Sequence, residues 1–203
     1  MAAMTRPRTR PIVLAAVSLW RLLIAASALT GFGLCLDGEP ANLAFLTLQG
    51  NLATGLGYLV LLGYPLVTRG RAHEPGTRWV RGALTLLMLL ICVTYLTMLG
   101  GDLSAPRDLL AHLLTPLLVF VDWAAVGSSQ TSCRWWYPLS WLLPPLAYLG
   151  FYVGYGHVLY PFLDPGRADF LPVVGGFLVG VLATGYLLYG LATLRGRLAP
   201  ATT

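Results

Sequence analysis

Six runs of roughly twenty apolar residues leave this chain few ways to fold. They extend from Pro11 to Cys35, Leu43 to Leu66, Trp79 to Leu99, Asp108 to Val126, Trp136 to Gly154 and Phe170 to Leu194. At a helical rise of about 1.5 Å per residue, each is long enough to cross a ~30 Å hydrocarbon core. A helix satisfies its own backbone hydrogen bonds where no water is present, so the expected fold is an all-α integral membrane protein. Short links force successive helices to run antiparallel, which gives a six-transmembrane-helix up-and-down bundle. One membrane domain, residues 11–194, is then flanked by tails at 1–10 and 195–203.

The links sort the basic residues. All thirteen are arginine. Ten of them (Arg6, Arg8, Arg10, Arg69, Arg71, Arg78, Arg81, Arg134, Arg195 and Arg197) fall on the side of the termini, whereas Arg107 and Arg167 fall on the other with Asp37, Asp102, Asp164 and Asp169. Positively charged loops stay in the cytoplasm, so both termini are expected there. Arg6 to Arg10 followed by an apolar run and Ala26-Ser27-Ala28 also resembles a cleavable signal peptide. The run continues to Cys35, as a retained span would, and its removal would spoil the alternation of charge. Arginine without lysine, with abundant Ala, Gly, Leu and Pro, fits a GC-rich bacterial genome, so the inner membrane of a bacterium is the expected location.

A net charge of +5 raises the question of nucleic acid. The arginines are dispersed over separate links with no aromatic and basic stripe, and membrane lipid headgroups are the better partners; no nucleic acid is expected. Cys35, Cys92 and Cys133 show no metal or paired spacing, so neither a disulfide framework nor a metal site is expected, and no cofactor is called for. No half of the chain echoes the other, which disfavours an inverted-repeat transporter. The pattern does not specify an oligomeric state.

Polar groups inside a span are costly unless partnered or used, so function is sought among them. Thr47, near the start of the second run, and His112, near the start of the fourth, each lie about 6 Å below their helix starts, on the same side of the membrane. A threonine hydroxyl becomes a nucleophile when a base takes its proton, and histidine is suited to that near neutral pH. Asp108, one turn before His112, is placed to orient the ring. The bland alternative is that Thr47 bonds back into its own helix and His112 joins two helices by a hydrogen bond.

Gln49 and Asn51 are candidate oxyanion donors, although interhelical packing accounts for them equally well. Thr115 sits near His112 on the same run. The segment from Gly156 to Pro165, with His157, Tyr160 and Phe162, suits either an ordered lid over a substrate or an aromatic belt at the headgroups. Gly175, Gly176 and Gly180 read as a close-packing face of the last helix.

Phe45-Leu46-Thr47, His112 followed by Pro116, and Tyr160-Pro161-Phe162-Leu163 before the last run occur in an order similar to that in the androgen-induced membrane threonine hydrolase family. The chain most resembles that family's bacterial six-span integral membrane relatives, through Thr47-Leu48-Gln49-Gly50-Asn51 and the His112 to Pro116 interval, over about Leu43 to Leu194. The resemblance implies an intramembrane hydrolase of fatty acid esters of hydroxy fatty acids, with its nucleophile at Thr47 and its histidine at His112. The expected function is therefore hydrolysis of a lipid-like ester, with Thr47, His112 and Asp108 catalytic and Gln49, Asn51, Thr115, His157, Tyr160 and Phe162 around the substrate. The alternative is a non-catalytic lipid or small-molecule binding or transport protein.

Overall fold

A computed structural model describes residues 10–76, 79–126 and 133–198. Arg6, Arg8 and Arg78, and the tail residues 1–9 and 199–203, lie outside the described residues. Every regular element among the described residues is helical. Among the described residues, five helices are long and apolar enough to cross a membrane: α1 (Pro11–Leu36), α2 (Leu46–Val67), α3 (Trp79–Met98), α4 (Pro106–Val126) and α7 (Phe170–Leu198). The fifth apolar run is instead divided into α5 (Tyr137–Ser140) and α6 (Leu143–Tyr155), with a turn at Trp141 and Leu142. Pro144 and Pro145 explain the break: each lacks an N–H and its ring collides with the carbonyl four residues earlier, at Ser140 and Trp141. At 13 residues, α6 reaches only about 20 Å.

Local chemistry sets the other boundaries. Pro11 begins α1 at the position where a missing N–H costs nothing, and Asp37 and Gly38, both at positive φ, close it. Residues Pro40–Ala44 form a 3-10 turn, so α2 begins at Leu46 rather than at Leu43. The last helix continues past the expected Leu194 to Leu198, with Arg195 and Arg197 in its final turn, where cations favour the exposed carbonyls. Arg195 also donates to the Ala125 carbonyl at 2.8 Å and so caps the end of α4.

The bundle is built around α3. Its inner face joins Ile24 of α1, Tyr58 of α2 and Val119 of α4 in one apolar cluster. Its other face joins Trp123, Trp141, Val181 and Leu188 in a second, against α5 and α7. Trp141 packs so closely on Gly82 that an added Cβ there would lie 2.0 Å from the indole, and its Nε1 donates to the Trp79 carbonyl at 3.0 Å. At the opposite end of the bundle, Tyr148, Tyr152 and Tyr160 form a third cluster. In contrast, α7 is peripheral, with Leu171, Val179 and Leu187 each about 70% exposed. Gly175, Gly176 and Gly180 have open space where a side chain would be, so they do not form the close-packing face expected; Gly185, against Pro138, does.

Candidate functional site

The fourth apolar helix is not regular where it carries His112. Leu110–Leu114 makes one wide π turn in which the Thr115 amide donates to the Leu110 carbonyl, five residues back. Pro116 supplies the reason. Its ring blocks the ordinary helical bond to the His112 carbonyl, and the chain accommodates it by widening the preceding turn. This presents a buried His112 ring toward the first turn of α2, where Thr47 Oγ1 lies 3.2 Å from His112 Nε2.

The other ring nitrogen fixes the proton. His112 Nδ1 lies 3.2 Å from the Asp108 backbone carbonyl, which can only accept, so in the neutral ring Nδ1 carries the hydrogen. Nε2 then presents its lone pair to the threonine hydroxyl. The Asp108 carboxylate is 3.6 Å from Nδ1, beyond a good hydrogen bond, and acts on the ring as a nearby charge. Asp108 also lies 3.5 Å from Arg107 Nε, and Arg107 in turn lies 3.9 Å from Asp37.

Tyr95 of α3 covers one face of the imidazole, its ring parallel to within 8° at a centroid separation of 3.6 Å. Its hydroxyl donates to the Asp102 carbonyl at 2.5 Å. That contact depends on the turn at Gly100 and Gly101, both with positive φ, where an L side chain would be strained and where a Cβ at Gly101 would crowd the Leu96 carbonyl. Tyr95 was not singled out from sequence, because a tyrosine at the end of a span is what a headgroup belt would supply in any case.

Thr47 and Tyr95 both border an apolar cavity that is partly open to the surroundings. Leu46, Ile91, Tyr148 and Leu149 form much of its wall, and Tyr160 and Phe162 also line it. Tyr160 is buried and holds the start of α2: its hydroxyl accepts the Leu46 amide at 3.0 Å and lies 3.4 Å from the Tyr148 hydroxyl, which donates to the Ala44 carbonyl. Burial keeps the Tyr160 phenol above its ordinary pKa, so it remains protonated. Phe162 stacks on Phe177 of α7 with centroids 5.7 Å apart.

The remaining sequence candidates lie elsewhere. Gln49 donates to the Leu43 carbonyl and secures the turn before α2. Asn51 is buried and spends its amide on the Thr47 and Ala111 carbonyls, tying α2 to α4 directly beneath the pair. Thr115 shares a 2.7 Å hydrogen bond with Ser27 of α1. His157 is exposed and packs edge-on against Tyr155. No group of residues that could hold a metal ion occurs among the described residues.

A second polar cluster lies at the far end of the bundle. Arg81 of α3 pairs with Asp122 of α4 and, at 3.0 Å, with Glu74 from the link after α2. Arg21 of α1 reaches Glu74 and the His73 and Leu61 carbonyls, and the Tyr58 hydroxyl donates to Asp122 at 2.8 Å. Two cations face two anions, all buried. These contacts clamp the link to three helices. Arg21, a single charge inside the first apolar run, was the available signal, since an intramembrane arginine needs a partner.

No protein-family model, curated protein or solved structure matches the chain.

Proposed function

We propose that this protein is an intramembrane lipid-ester hydrolase in which Thr47 is the nucleophile and His112 the base. The observation that carries this reading is the 3.2 Å approach of Thr47 Oγ1 to a correctly disposed His112 Nε2 at the edge of a cavity. Thr47 Oγ attacks the ester carbonyl carbon as its proton passes to Nε2. The resulting imidazolium is held by the Asp108 carbonyl and carboxylate. The amide of Thr47 lies in the first turn of α2, where helical N–H groups have no intrahelical acceptor, and it is assigned to the oxyanion. Collapse expels the alkoxide, which recovers the proton from His112. Water then hydrolyses the acyl-threonine with His112 again as base.

The apolar walls favour a lipid-like substrate over a polar solute, and the resemblance of Phe45-Leu46-Thr47, His112 and Tyr160-Pro161-Phe162-Leu163 to the threonine hydrolases points to fatty acid esters of hydroxy fatty acids. The finer architecture belongs to the same proposal. The α5 and α6 pair serves as the sixth crossing, both termini are cytoplasmic, and the site faces the outer leaflet, with a bacterial inner membrane as the location that composition supports.

Fluorophosphonate labelling and turnover of a fluorogenic long-chain ester test the chemistry. Thr47→Val, which keeps shape and removes the hydroxyl, is expected to abolish both, as is His112→Ala; the double variant should be no worse than either. Thr47→Ser should retain measurable turnover. Wild-type turnover by correctly inserted Thr47→Val would eliminate threonine catalysis.

A further inference from the structure

The Thr47 cavity shares part of its wall with a neighbouring groove. Leu90 and Thr94 of α3 and Phe177 and Val181 of α7 border it and also border a second, more open groove between these two helices, with about 1050 Å³ of empty space. On α3 the groove extends to Leu86, and on α7 it runs from Val173 past Gly176 and Gly180 to Thr184. Its length along α7 is about 16 Å at the helical rise, close to half of a ~30 Å hydrocarbon core and so to one lipid chain of a single leaflet. The trough exists because side chains are missing. A Cβ placed on Gly176 or Gly180 would meet nothing within 4 Å.

We propose that this groove holds an acyl chain of the ester, which enters sideways from the bilayer, and that Gly176 and Gly180 set the chain length accepted. The position of the ester carbonyl, at Thr47, rests on the hydrolase reading. The occupant follows from three properties of the groove: its walls are largely apolar, it opens beside the peripheral α7, and it shares Leu90, Thr94, Phe177 and Val181 with the wall of the cavity at the nucleophile. Gly176 is nearer the Thr47 end and Gly180 about 6 Å deeper along α7. A side chain at Gly176 therefore blocks shorter chains than one at Gly180.

The test compares butanoyl through hexadecanoyl esters of a fluorogenic alcohol, turned over by the full chain in lipid nanodiscs. With Gly176→Leu and Gly180→Leu, the loss of turnover should grow with acyl-chain length rather than fall equally on every ester. Hexadecanoyl kcat/KM should fall roughly a hundredfold, as burial of about four methylenes would be lost, and the cut-off length should be shorter for Gly176→Leu. A second readout needs no turnover: a hexadecanoyl ester with a photoreactive chain end, competed with excess phospholipid, should label wild-type Leu86 and Thr184 but not those residues in Gly176→Leu. Chain-length profiles unchanged in both variants, or labelling abolished by the competing phospholipid, would overturn the groove. If the wild type turned over no ester, the hydrolase reading alone would fail, and the labelling would still decide the groove.

Discussion

In the proposed mechanism the reactivity of Thr47 depends on a single proton position. His112 can serve as base while Nδ1 holds its hydrogen against the Asp108 carbonyl and Nε2 is free. A protonated ring has no lone pair for the hydroxyl. Ester turnover is therefore expected to rise from acid toward neutral pH as the ring loses its proton, with the same acid limb in Thr47→Ser. Asp102, which fixes the link contacting Tyr95, does not confuse that limb. Its carboxylate accepts the Ser104 amide at 2.9 Å and is held below the ordinary carboxylate range. A group lowered in this way contributes above its unfolded pKa and loses its effect only as pH falls through the lower folded value, so this turn stays intact through the window in which histidine titrates. An acid limb that moved with Asp102→Asn and not with the imidazole would contradict the assignment; the pH profile of kcat/KM measures it.

The helices meet the site through their irregularities. The π turn before Pro116 and the late start of α2 after Pro40–Ala44 bring two side chains together, and the charged clamp holds the other ends of the same helices in register. Replacing Asp122 by asparagine leaves Arg81 buried with reduced compensation and removes the carboxylate that accepts from Tyr58. Loss of one member of a buried pair costs about 3 kcal/mol or more. Thermal unfolding of the detergent-solubilised variant should show this as a clearly lowered midpoint, with Arg81→Met together with Asp122→Leu less damaging than Asp122→Asn. These elements also show what the sequence could convey. Apolar length is a strong signal, so five helices were legible to within a few residues; the equal rise expected for Thr47 and His112 takes starts at Leu43 and Asp108, whereas the helices begin at Leu46 and Pro106, and the pair meets through the turn before α2 and the π turn of α4 instead. The break at Trp141 was masked because the run stays apolar through Pro144 and Pro145. The clamp and the stacking by Tyr95 were not legible because they depend on which helix is whose neighbour, and no local spacing encodes that.

On the proposed hydrolase reading, the direction in which the bundle sits decides which leaflet would supply the ester. The Thr47–His112 pair lies at the end carrying Asp37, Asp102 and the Tyr160 segment, while the Arg21, Arg81, Glu74 and Asp122 clamp lies at the end with Arg69, Arg71 and Arg195. Arginine in short links is retained on the cytoplasmic side, so the site end is expected outside and the clamp end inside. Arg21 and Arg81 are matched by the buried Glu74 and Asp122, so the arginines of the links are expected to choose the orientation. Single cysteines at Gly38, Gly76 and Gly166, in a background with Cys35, Cys92 and Cys133 replaced, give the test with a membrane-impermeant maleimide on intact cells. Cysteines at Gly38 and Gly166 should react from outside, and that at Gly76 only after the membrane is opened. Protection of both Gly38 and Gly166 with reaction at Gly76 would invert the bundle and place ester access in the inner leaflet, while leaving the geometry of the pair untouched.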